Sequence, residues 1–219
     1  MRCFITGTDT DAGKTVVTAA IAAAVRAEGR VVWALKPLAT GGPPPGEDAI
    51  QISAAAGHPP QVFLTAPQPA APDRALREAG RPPADWAALL SWIRRFEEDT
   101  LVEGVGGWEV PLGGGRRVSD LAMALGYPVI IVAGNRLGVL NHTLLTAAAV
   151  ERRGLRLAAV VLNDVPGGAA EPLRRWNRDD LRQELRCPVV PFPSVAPGAD
   201  LAPLGAPVLA AVRASAQGD

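Results

Sequence analysis

The sequence predicts an α/β fold, in which a mostly parallel sheet is flanked by helices in three layers. Apolar, β-branched runs alternate with alanine- and leucine-rich segments along the whole chain, a pattern typical of parallel strands separated by helices. The 219 residues are enough for one α/β domain with a substantial core. The chain shows neither an internal repeat nor a linker between two cores, so residues 1–219 are expected to form a single domain.

The strands are predicted where valine, isoleucine and leucine cluster. In chain order they cover residues 2–6, 31–35, 100–102, 129–133, 157–162 and 189–190. The Gly- and Pro-rich segments 41–46 and 66–72 are predicted to be irregular loops. We expect both loops at the carboxyl edge of the sheet, where open α/β sheets bind their ligands.

The helices are predicted between these strands, in stretches rich in alanine, leucine and arginine. In chain order they cover residues 14–27, 48–56, 84–97, 118–125, 139–153, 172–185 and 206–214. Gly29 and Gly154 are expected to end two of them, since glycine is favoured just after a helix. Asn141 and Thr143 resemble helix-capping residues, and His142 could serve the same helix start.

Composition excludes several classes of function. Lys plus Arg and Asp plus Glu number 22 each, so no net field attracts nucleic acid or an anionic membrane. The five tryptophans form no stacking ladder with basic residues, and no apolar run approaches the about 20 residues of a membrane span. Cys3 and Cys187 lack metal-ligand spacing. With no room for a signal peptide before residue 7, we expect a cytoplasmic protein with reduced, buried thiols.

Residues 7–15 read Gly-Thr-Asp-Thr-Asp-Ala-Gly-Lys-Thr, between the first predicted strand and the first predicted helix. This order is that of a phosphate-binding loop, whose backbone N–H groups and helix N-terminus bind phosphate oxygens. Lys14 would add charge near the β- and γ-phosphates, and the Thr15 hydroxyl would ligate Mg²⁺. Five residues separate Gly7 from Gly13, where the common motif has four. The motif predicts a P-loop NTPase-like fold, and a surface turn is the alternative.

Other chemical side chains follow predicted strands. Lys36 precedes Pro37 at the end of the second strand and could neutralise a phosphoryl group or an anionic substrate, or be solvated. Glu103 is expected to end the third strand, where an acid of a P-loop protein holds Mg²⁺; otherwise it is a surface turn acid. Asp48 starts a helix, so it is either a capping acid or a second metal ligand.

The remaining polar candidates are ambiguous. Asn163 and Asp164 end the fifth strand and form either a base-reading pair or a simple turn. His58 precedes two prolines and is expected in an exposed loop. Neither His58 nor His142 has a second histidine at i+4, so neither indicates a zinc site.

Five segments occur in the order and spacing of dethiobiotin synthetase, and the chain resembles that family up to about residue 200. The segments are residues 7–15, 36–41 (Lys-Pro-Leu-Ala-Thr-Gly), 102–108 (Val-Glu-Gly-Val-Gly-Gly-Trp), 137–143 (Leu-Gly-Val-Leu-Asn-His-Thr) and 163–165 (Asn-Asp-Val). The five-residue gap in the phosphate loop is the family's own form. The resemblance implies a homodimeric P-loop ligase of biotin synthesis. Such an enzyme forms the ureido ring of dethiobiotin from 7,8-diaminopelargonate, CO₂ and MgATP, through a carbamate and a carbamic-phosphoric mixed anhydride.

The resemblance also implies roles for individual residues. Lys36 and Lys14 would be catalytic, and Thr15, Asp48 and Glu103 would hold Mg²⁺. The diamine or its carbamate would contact Thr10, Lys36 and Thr40, and Asn141 would reach across to the substrate carboxylate of a neighbouring subunit. The nucleotide would contact Asp11, Ala12, Gly13, Lys14, Thr15, Val16, Asp48, Glu103, Gly106, Asn163, Asp164, Pro193, Ser194, Val195 and Asp200.

The sequence departs from the family's pattern at three places. Thr40 replaces a frequent serine but keeps its hydroxyl, and Arg136 occurs where relatives often carry lysine. Residues 190–193 read Val-Pro-Phe-Pro in place of the usual Gly-Glu-x-Pro.

Two other families remain alternatives. A cobyrinic-acid-type amide ligase shares a related fold, but usually carries a glutamine-hydrolysing domain with a nucleophilic cysteine, and neither cysteine here looks placed for that role. A ParA- or MinD-like ATPase switch tends to carry an extra lysine early in the phosphate loop, where this chain has Thr8-Asp9-Thr10.

Overall fold

Six parallel strands form the central sheet of the computed structural model, which describes residues 1–216. The strands are β1 (Arg2–Gly7), β2 (Val32–Leu35), β3 (Leu38–Thr40), β4 (Leu64–Ala66), β5 (Asp99–Gly107), β6 (Pro111–Gly113), β7 (Arg116–Arg117), β8 (Val129–Gly134), β9 (Leu157–Asn163) and β10 (Val189–Phe192). The order across the sheet is β10-β9-β8-β1-β5-β2, and β3 and β4 form a separate parallel pair.

The helices are α1 (Lys14–Ala27), α2 (Glu47–Ala56), α3 (Pro72–Glu78), α4 (Trp86–Arg94), α5 (Val118–Leu125), α6 (Val139–Arg152), α7 (Leu173–Glu184) and α8 (Ala202–Ser215). Within residues 1–216, no helix is both long and apolar enough to cross a bilayer.

Two apolar layers cover the two faces of the sheet. Along β1, Cys3 and Ile5 belong to the cluster shared with α1, α2 and α8, while Phe4 belongs to the cluster shared with α4, α5, α6 and α7. This alternation follows from the two-residue period of a strand. The three-layer α/β fold predicted from the sequence is therefore confirmed.

The close contact of α1 with α8 depends on a glycine. A Cβ atom on Gly205 would lie 1.9 Å from the carbonyl oxygen of Ala20, so only glycine allows the two backbones to approach this closely. Helix α8 begins at Ala202, four residues before the predicted start, with Pro203 in its first turn and Pro207 further inside the helix. Proline is tolerated in a first helical turn because that turn's N–H groups have no partner in the helix.

Some predicted boundaries were wrong. Strand β5 does not end at Glu103; it continues through Gly107, which pairs with Gly7 of β1. Asn141 and Thr143 are not caps, because α6 begins at Val139 after Gly138, so both residues lie inside the helix. The β3–β4 pair, helix α3 and the β6–β7 hairpin were not predicted from the sequence.

Candidate active site

The phosphate-binding loop follows β1 and ends at the N-terminus of α1. Gly13 adopts φ 89° there, and a Cβ atom on it would lie 2.1 Å from Nδ2 of Asn163, so no other residue fits. Lys14 is 5% exposed and donates hydrogen bonds to the carbonyl oxygens of Asp9 (3.2 Å) and Thr10 (3.0 Å). Two carbonyl oxygens of the loop thus hold the Lys14 ammonium in place.

An ion pair connects the phosphate-binding loop to the segment after β8, the strand next to β1 in the sheet. Arg136, which follows β8, places its guanidinium 2.6 Å from Oδ2 of Asp9. The other carboxylate oxygen of Asp9 accepts a hydrogen bond from the backbone N–H of Thr10 at 2.7 Å. Arg136 therefore contacts the loop through a protein carboxylate.

A buried lysine lies beside the loop at the end of β2. The Nζ atom of Lys36 is 2.7 Å from Oδ2 of Asp48 and 2.7 Å from Oε1 of Glu103, and it also contacts the carbonyl oxygen of Gly104 at 3.3 Å. Lys36 is 2% exposed and Glu103 is fully buried. The topology produces this cluster, because β5 lies between β1 and β2 and brings Glu103 next to both strand ends.

The charges of the cluster oppose the effect of burial. Burial alone would lower the pKa of Lys36, but the carboxylates of Glu103 and Asp48 outweigh it, so the pKa is raised. Burial alone would raise the pKa of Asp48, but Lys36 outweighs it and the pKa is lowered. Lys14 has no such close partner, and burial, followed by the charge of Lys36, lowers its pKa to about 8.

Three oxygen atoms converge next to Lys36. The Thr15 hydroxyl lies 3.0 Å from Oδ1 of Asp48 and 3.0 Å from Oε1 of Glu103. Oε2 of Glu103 is buried and accepts no hydrogen bond from residues 1–216. A hydroxyl and two carboxylates are hard oxygen donors of the kind that Mg²⁺ prefers. The orphaned carboxylate oxygen makes this donor set a fit for a magnesium ion.

No group of three His, Cys, Asp or Glu side chains able to hold a metal occurs in the described part of the chain. The cluster has only two carboxylates and completes its donor set with Thr15. It is therefore suited to a metal that also takes oxygen ligands from a bound phosphate.

Two cavities meet at the phosphate loop and share Asp11 and Gly13. The first, of about 320 Å³ and here called the phosphate cavity, is lined by Thr10, Asp11, Gly13, Lys14, Thr15, Lys36, Thr40, Asp48, Val105 and Gly106. The second, of about 530 Å³ and here called the nucleoside cavity, is lined by Asp11, Gly13, Val16, Gln51, Asn163, Asp164, Val165, Pro166, Ser194, Val195, Ala196, Pro197, Gly198, Ala199 and Leu201. Together they form a long site with a charged end and a mainly neutral end.

Comparison with known proteins identifies the family. A family model described as an AAA domain matches residues 1–196. The ATP-dependent dethiobiotin synthetase BioD of Aromatoleum aromaticum is 37% identical over 214 residues, covering 93% of this chain and 94% of the relative. Those of Rhodococcus jostii and Ralstonia nicotianae are 43% and 41% identical, covering 81% and 80% of this chain and 79% and 83% of the relatives. The chain belongs to the dethiobiotin synthetase family. It is therefore a ligase.

Solved structures support the same fold. A ParA family ATPase from Chlorobium tepidum has a TM-score of 0.57 at 14% identity, covering 95% of this chain and 98% of that one. The cell division protein complex MinC:MinD of Aquifex aeolicus has a TM-score of 0.55 at 15% identity, covering 99% of this chain and 94% of that one. The chain thus has a P-loop NTPase fold.

Most residues that the sequence predicted for the site line one of the two cavities, but five line neither. Glu103 is fully buried in the cluster with Lys36. Ala12 is buried, and its carbonyl oxygen accepts a hydrogen bond from Asn163. Pro193 is exposed and lines neither cavity. Asp200 is exposed and accepts a hydrogen bond from the N–H of Ala202 at the start of α8. Asn141 is exposed on α6.

Two residues in or next to the site were not predicted from the sequence. Gln51 lines the nucleoside cavity from α2, and its position three residues after Asp48 puts both on one helix face, a signal that the sequence did contain. Asn135 is 2% exposed and its side chain contacts Asp164. Nothing in the sequence marked Asn135, because its side-chain partners are Asp164, just after β9, and Asn177 in α7.

Proposed function

We propose that this member of the dethiobiotin synthetase family closes the ureido ring of dethiobiotin from 7,8-diaminopelargonate, CO₂ and ATP. The observation that carries the proposal is the burial of Lys36 between Glu103 and Asp48, at a cavity that it shares with the phosphate loop. A fixed cation beside a phosphate site is the arrangement needed where a phosphoryl group is transferred.

The proposed reaction has three steps. One amine of the substrate attacks CO₂ and loses a proton, which gives a carbamate. A carbamate oxygen then attacks the γ-phosphorus of ATP, and ADP leaves, which gives a carbamic-phosphoric mixed anhydride. The second amine attacks the carbamic carbon, inorganic phosphate leaves, and the ring closes with loss of a second proton.

Lys14 and Lys36 are the catalytic residues in this proposal. The second step gathers negative charge on the transferring phosphoryl group, so catalysis depends on positioning and on fixed positive charge. Lys14 would neutralise the β- and γ-phosphates from the loop. Lys36 would contact the γ-phosphoryl group and the carbamate, where Thr10 and Thr40 line the same cavity and offer hydroxyl groups.

Thr15, Asp48 and Glu103 are the residues that would hold Mg²⁺. The ion would supply positive charge to the β- and γ-phosphate oxygens. Their fit rests on the orphaned Oε2 atom of Glu103 and on the convergence of three oxygen atoms. The lowered pKa of Asp48 favours the ionised carboxylate that a metal ligand needs.

The nucleoside of ATP would occupy the larger cavity. Asn163 ends β9 and Asp164 follows it at the wall of this cavity. Their amide and carboxylate oxygens could accept hydrogen bonds from the exocyclic amine of adenine. Ser194 and Val195 also line this cavity, from the loop after β10. Ala12, Pro193 and Asp200 line neither cavity and have the weakest support among the proposed nucleotide contacts.

A homodimer is proposed through the outer face of α6. Leu137, just before this helix, is 84% exposed, and Leu145 within it is 61% exposed. Exposed apolar side chains on one face are typical of protein interfaces. Asn141 lies between them in the sequence and is exposed, so it could reach the substrate of a second subunit. We place the reaction in the cytoplasm, in keeping with the free thiols of Cys3 and Cys187.

Phosphate release tests the proposed activity. Release from ATP is measured with the diamine, with bicarbonate, with both and with neither, while mass spectrometry follows dethiobiotin. We expect strong stimulation and product only when both substrates are present. Release that is insensitive to both, with no product, would instead favour an ATPase switch and contradict the proposal.

A further inference from the structure

A buried amide pair connects the nucleoside cavity to α7. Asn135 and Asn177 are 2% and 3% exposed, and Nδ2 of Asn177 donates to Oδ1 of Asn135 at 2.8 Å. Nδ2 of Asn135 donates in turn to Oδ1 of Asp164 at 3.0 Å and, at 3.4 Å, to the carbonyl oxygen of Arg174. Both polar atoms of the Asn135 side chain are therefore bonded, as burial requires.

The backbone of Asn135 continues the same network. Its N–H donates to the carbonyl oxygen of Asn163 at 2.7 Å, and its carbonyl oxygen accepts from the N–H of Ala169 at 2.7 Å. Asn163 donates through Nδ2 to the carbonyl oxygen of Ala12 at 2.9 Å. One buried residue thus touches both members of the Asn163–Asp164 pair, and through Asn163 it reaches the phosphate loop.

Only one end of the network meets the nucleoside cavity. Asn135 and Asn177 line neither cavity, whereas Asn163 and Asp164 line the larger one. The side chain of Asp164 is 17% exposed, and Oδ1 also lies 3.3 Å from Nε of Arg174. A carboxylate held by two donors on one side keeps a fixed orientation toward the cavity on the other.

We propose that Asn135 is a positioning residue for base selection, which fixes Asp164 and Asn163 so that they distinguish adenine from guanine. The inference rests on the proposed function, because it takes the larger cavity as the site of the base. Adenine presents an exocyclic amine, a donor that a carboxylate and an amide oxygen can accept. Guanine presents a carbonyl oxygen at the corresponding ring position, and an acceptor facing a fixed carboxylate is repelled.

The discriminating variant is Asn135→Asp, which keeps the size of the side chain and the acceptor for Asn177. It replaces the donor to Asp164 by a second carboxylate, so Asp164 is repelled from its position. The readouts are kcat and KM for ATP and for GTP in the full reaction, together with the melting temperature. Wild-type protein should use ATP at least about tenfold better than GTP.

We expect Asn135→Asp to raise KM for ATP about tenfold, leave kcat within about twofold, and lower the ATP-over-GTP preference at least about fivefold. The control is Thr143→Val on α6, a change of buried polarity at a hydroxyl that has no partner among residues 1–216. That variant should leave the preference unchanged. A preference equal to wild type in Asn135→Asp, or a wild type that does not discriminate, would overturn the inference.

Two further variants separate the possible failures. If Asn135→Asp does not fold, Asn177→Ala removes one bond from Asn135 away from the cavity, and it should lower the preference about twofold; no change would overturn the inference. Asn163→Ala tests the base site itself. A lowered preference in Asn163→Ala with none in the network variants refutes the inference alone. An unchanged preference in all of them refutes the base site of the proposed function as well.

Discussion

The two cavities that meet at the phosphate loop differ in how their polar groups are held. At the phosphate cavity, Lys36 lines the wall and is paired with the buried Glu103, with their charged atoms 2.7 Å apart. In the nucleoside cavity, Asn163 offers a neutral amide beside the partly exposed carboxylate of Asp164, and the mostly exposed loop 194–199 also lines the cavity. The difference indicates that the two cavities have different roles. The phosphate cavity has fixed charges where bonds would form and break, and the nucleoside cavity has hydrogen-bonding groups and an open wall where the base would be recognised.

This division has an energetic basis. A buried ion pair is costly to desolvate, and removing one partner leaves an uncompensated charge. The phosphate cavity should therefore tolerate few substitutions. A neutral hydrogen bond contributes about 1 kcal/mol, so single changes in the nucleoside cavity should alter affinity modestly. The following predictions, from the largest effect to the smallest, test whether that contrast holds.

Lys36→Gln should have the largest effect. We expect kcat to fall by about a thousandfold, because the fixed charge next to the transferring phosphoryl group is lost, while the Kd for ATP changes less than about threefold. Rapid-quench kinetics and isothermal titration calorimetry measure the two quantities. Lys36→Arg is the matched control, since it retains the charge, and it should recover part of kcat. Wild-type turnover in Lys36→Gln would remove this residue from the mechanism.

Glu103→Gln should change the metal requirement. Replacing one carboxylate oxygen by an amide nitrogen weakens a hard cation site, so the Mg²⁺ concentration for half-maximal activity should rise about ten- to a hundredfold. Asp48→Asn provides the comparison, because the side chain of Asp48 is 49% exposed and its loss should cost less. A magnesium titration that coincides with wild type would refute Glu103 as a ligand.

The lowered pKa of Lys14 predicts how ATP binding depends on pH. Since this pKa is about 8 in the free protein, Lys14 loses its charge above that pH, and ATP affinity should fall up to about tenfold between pH 8 and pH 9. Lys14→Arg keeps its charge, so its affinity should stay flat over that range. Titrations at fixed ionic strength measure both. A flat wild-type profile would contradict the assigned pKa.

The same shift sets the sign of a stability effect. The folded chain releases the Lys14 proton at a lower pH than the unfolded chain, whose lysine has its ordinary pKa near 10.5. Between pH 8 and 10.5 the unfolded state binds more protons than the folded state. The contribution of Lys14 to the free energy of unfolding therefore increases as the pH rises. Denaturant unfolding without nucleotide measures this effect. Over that pH range, the free energy of unfolding of wild type should rise relative to that of Lys14→Arg.

Gln51→Ala should have the smallest effect. Gln51 is exposed at the wall of the nucleoside cavity and donates no side-chain hydrogen bond within residues 1–216. We expect KM for ATP to rise about two- to threefold with kcat unchanged, as for one solvent-accessible hydrogen bond. Ile50→Ala, at the exposed neighbouring position of α2, should change neither. A large fall in kcat in Gln51→Ala would refute the claim that the nucleoside cavity affects ATP affinity and not the chemical step.

Local signals in the sequence singled out the charged residues that the structure brings together at the candidate site. The Gly-Lys-Thr sequence at residues 13–15, between an apolar run and an alanine-rich helix, specified the loop. Lys36 before a proline and Glu103 within an apolar run followed from the strands that carry them. The parallel sheet then required these strand ends to meet at one edge.

What the sequence did not predict depends on long-range contacts. Glu103 was expected at a strand end, but β5 continues to Gly107 because that residue pairs with Gly7 of β1. Asn135 bonds to residues 29 and 42 positions away, and no periodicity records such pairs. The β3–β4 pair is three residues per strand, too short for a recognisable pattern.

The most direct test is a crystal structure with a non-hydrolysable ATP analogue, Mg²⁺ and the diamine. We expect the base beside Asn163, the triphosphate along residues 13–15, the metal on Thr15 and Glu103, and the diamine within contact of Lys36. A base bound outside the larger cavity, or a metal that touches neither Thr15 nor Glu103, would contradict the view that one nucleotide spans both cavities.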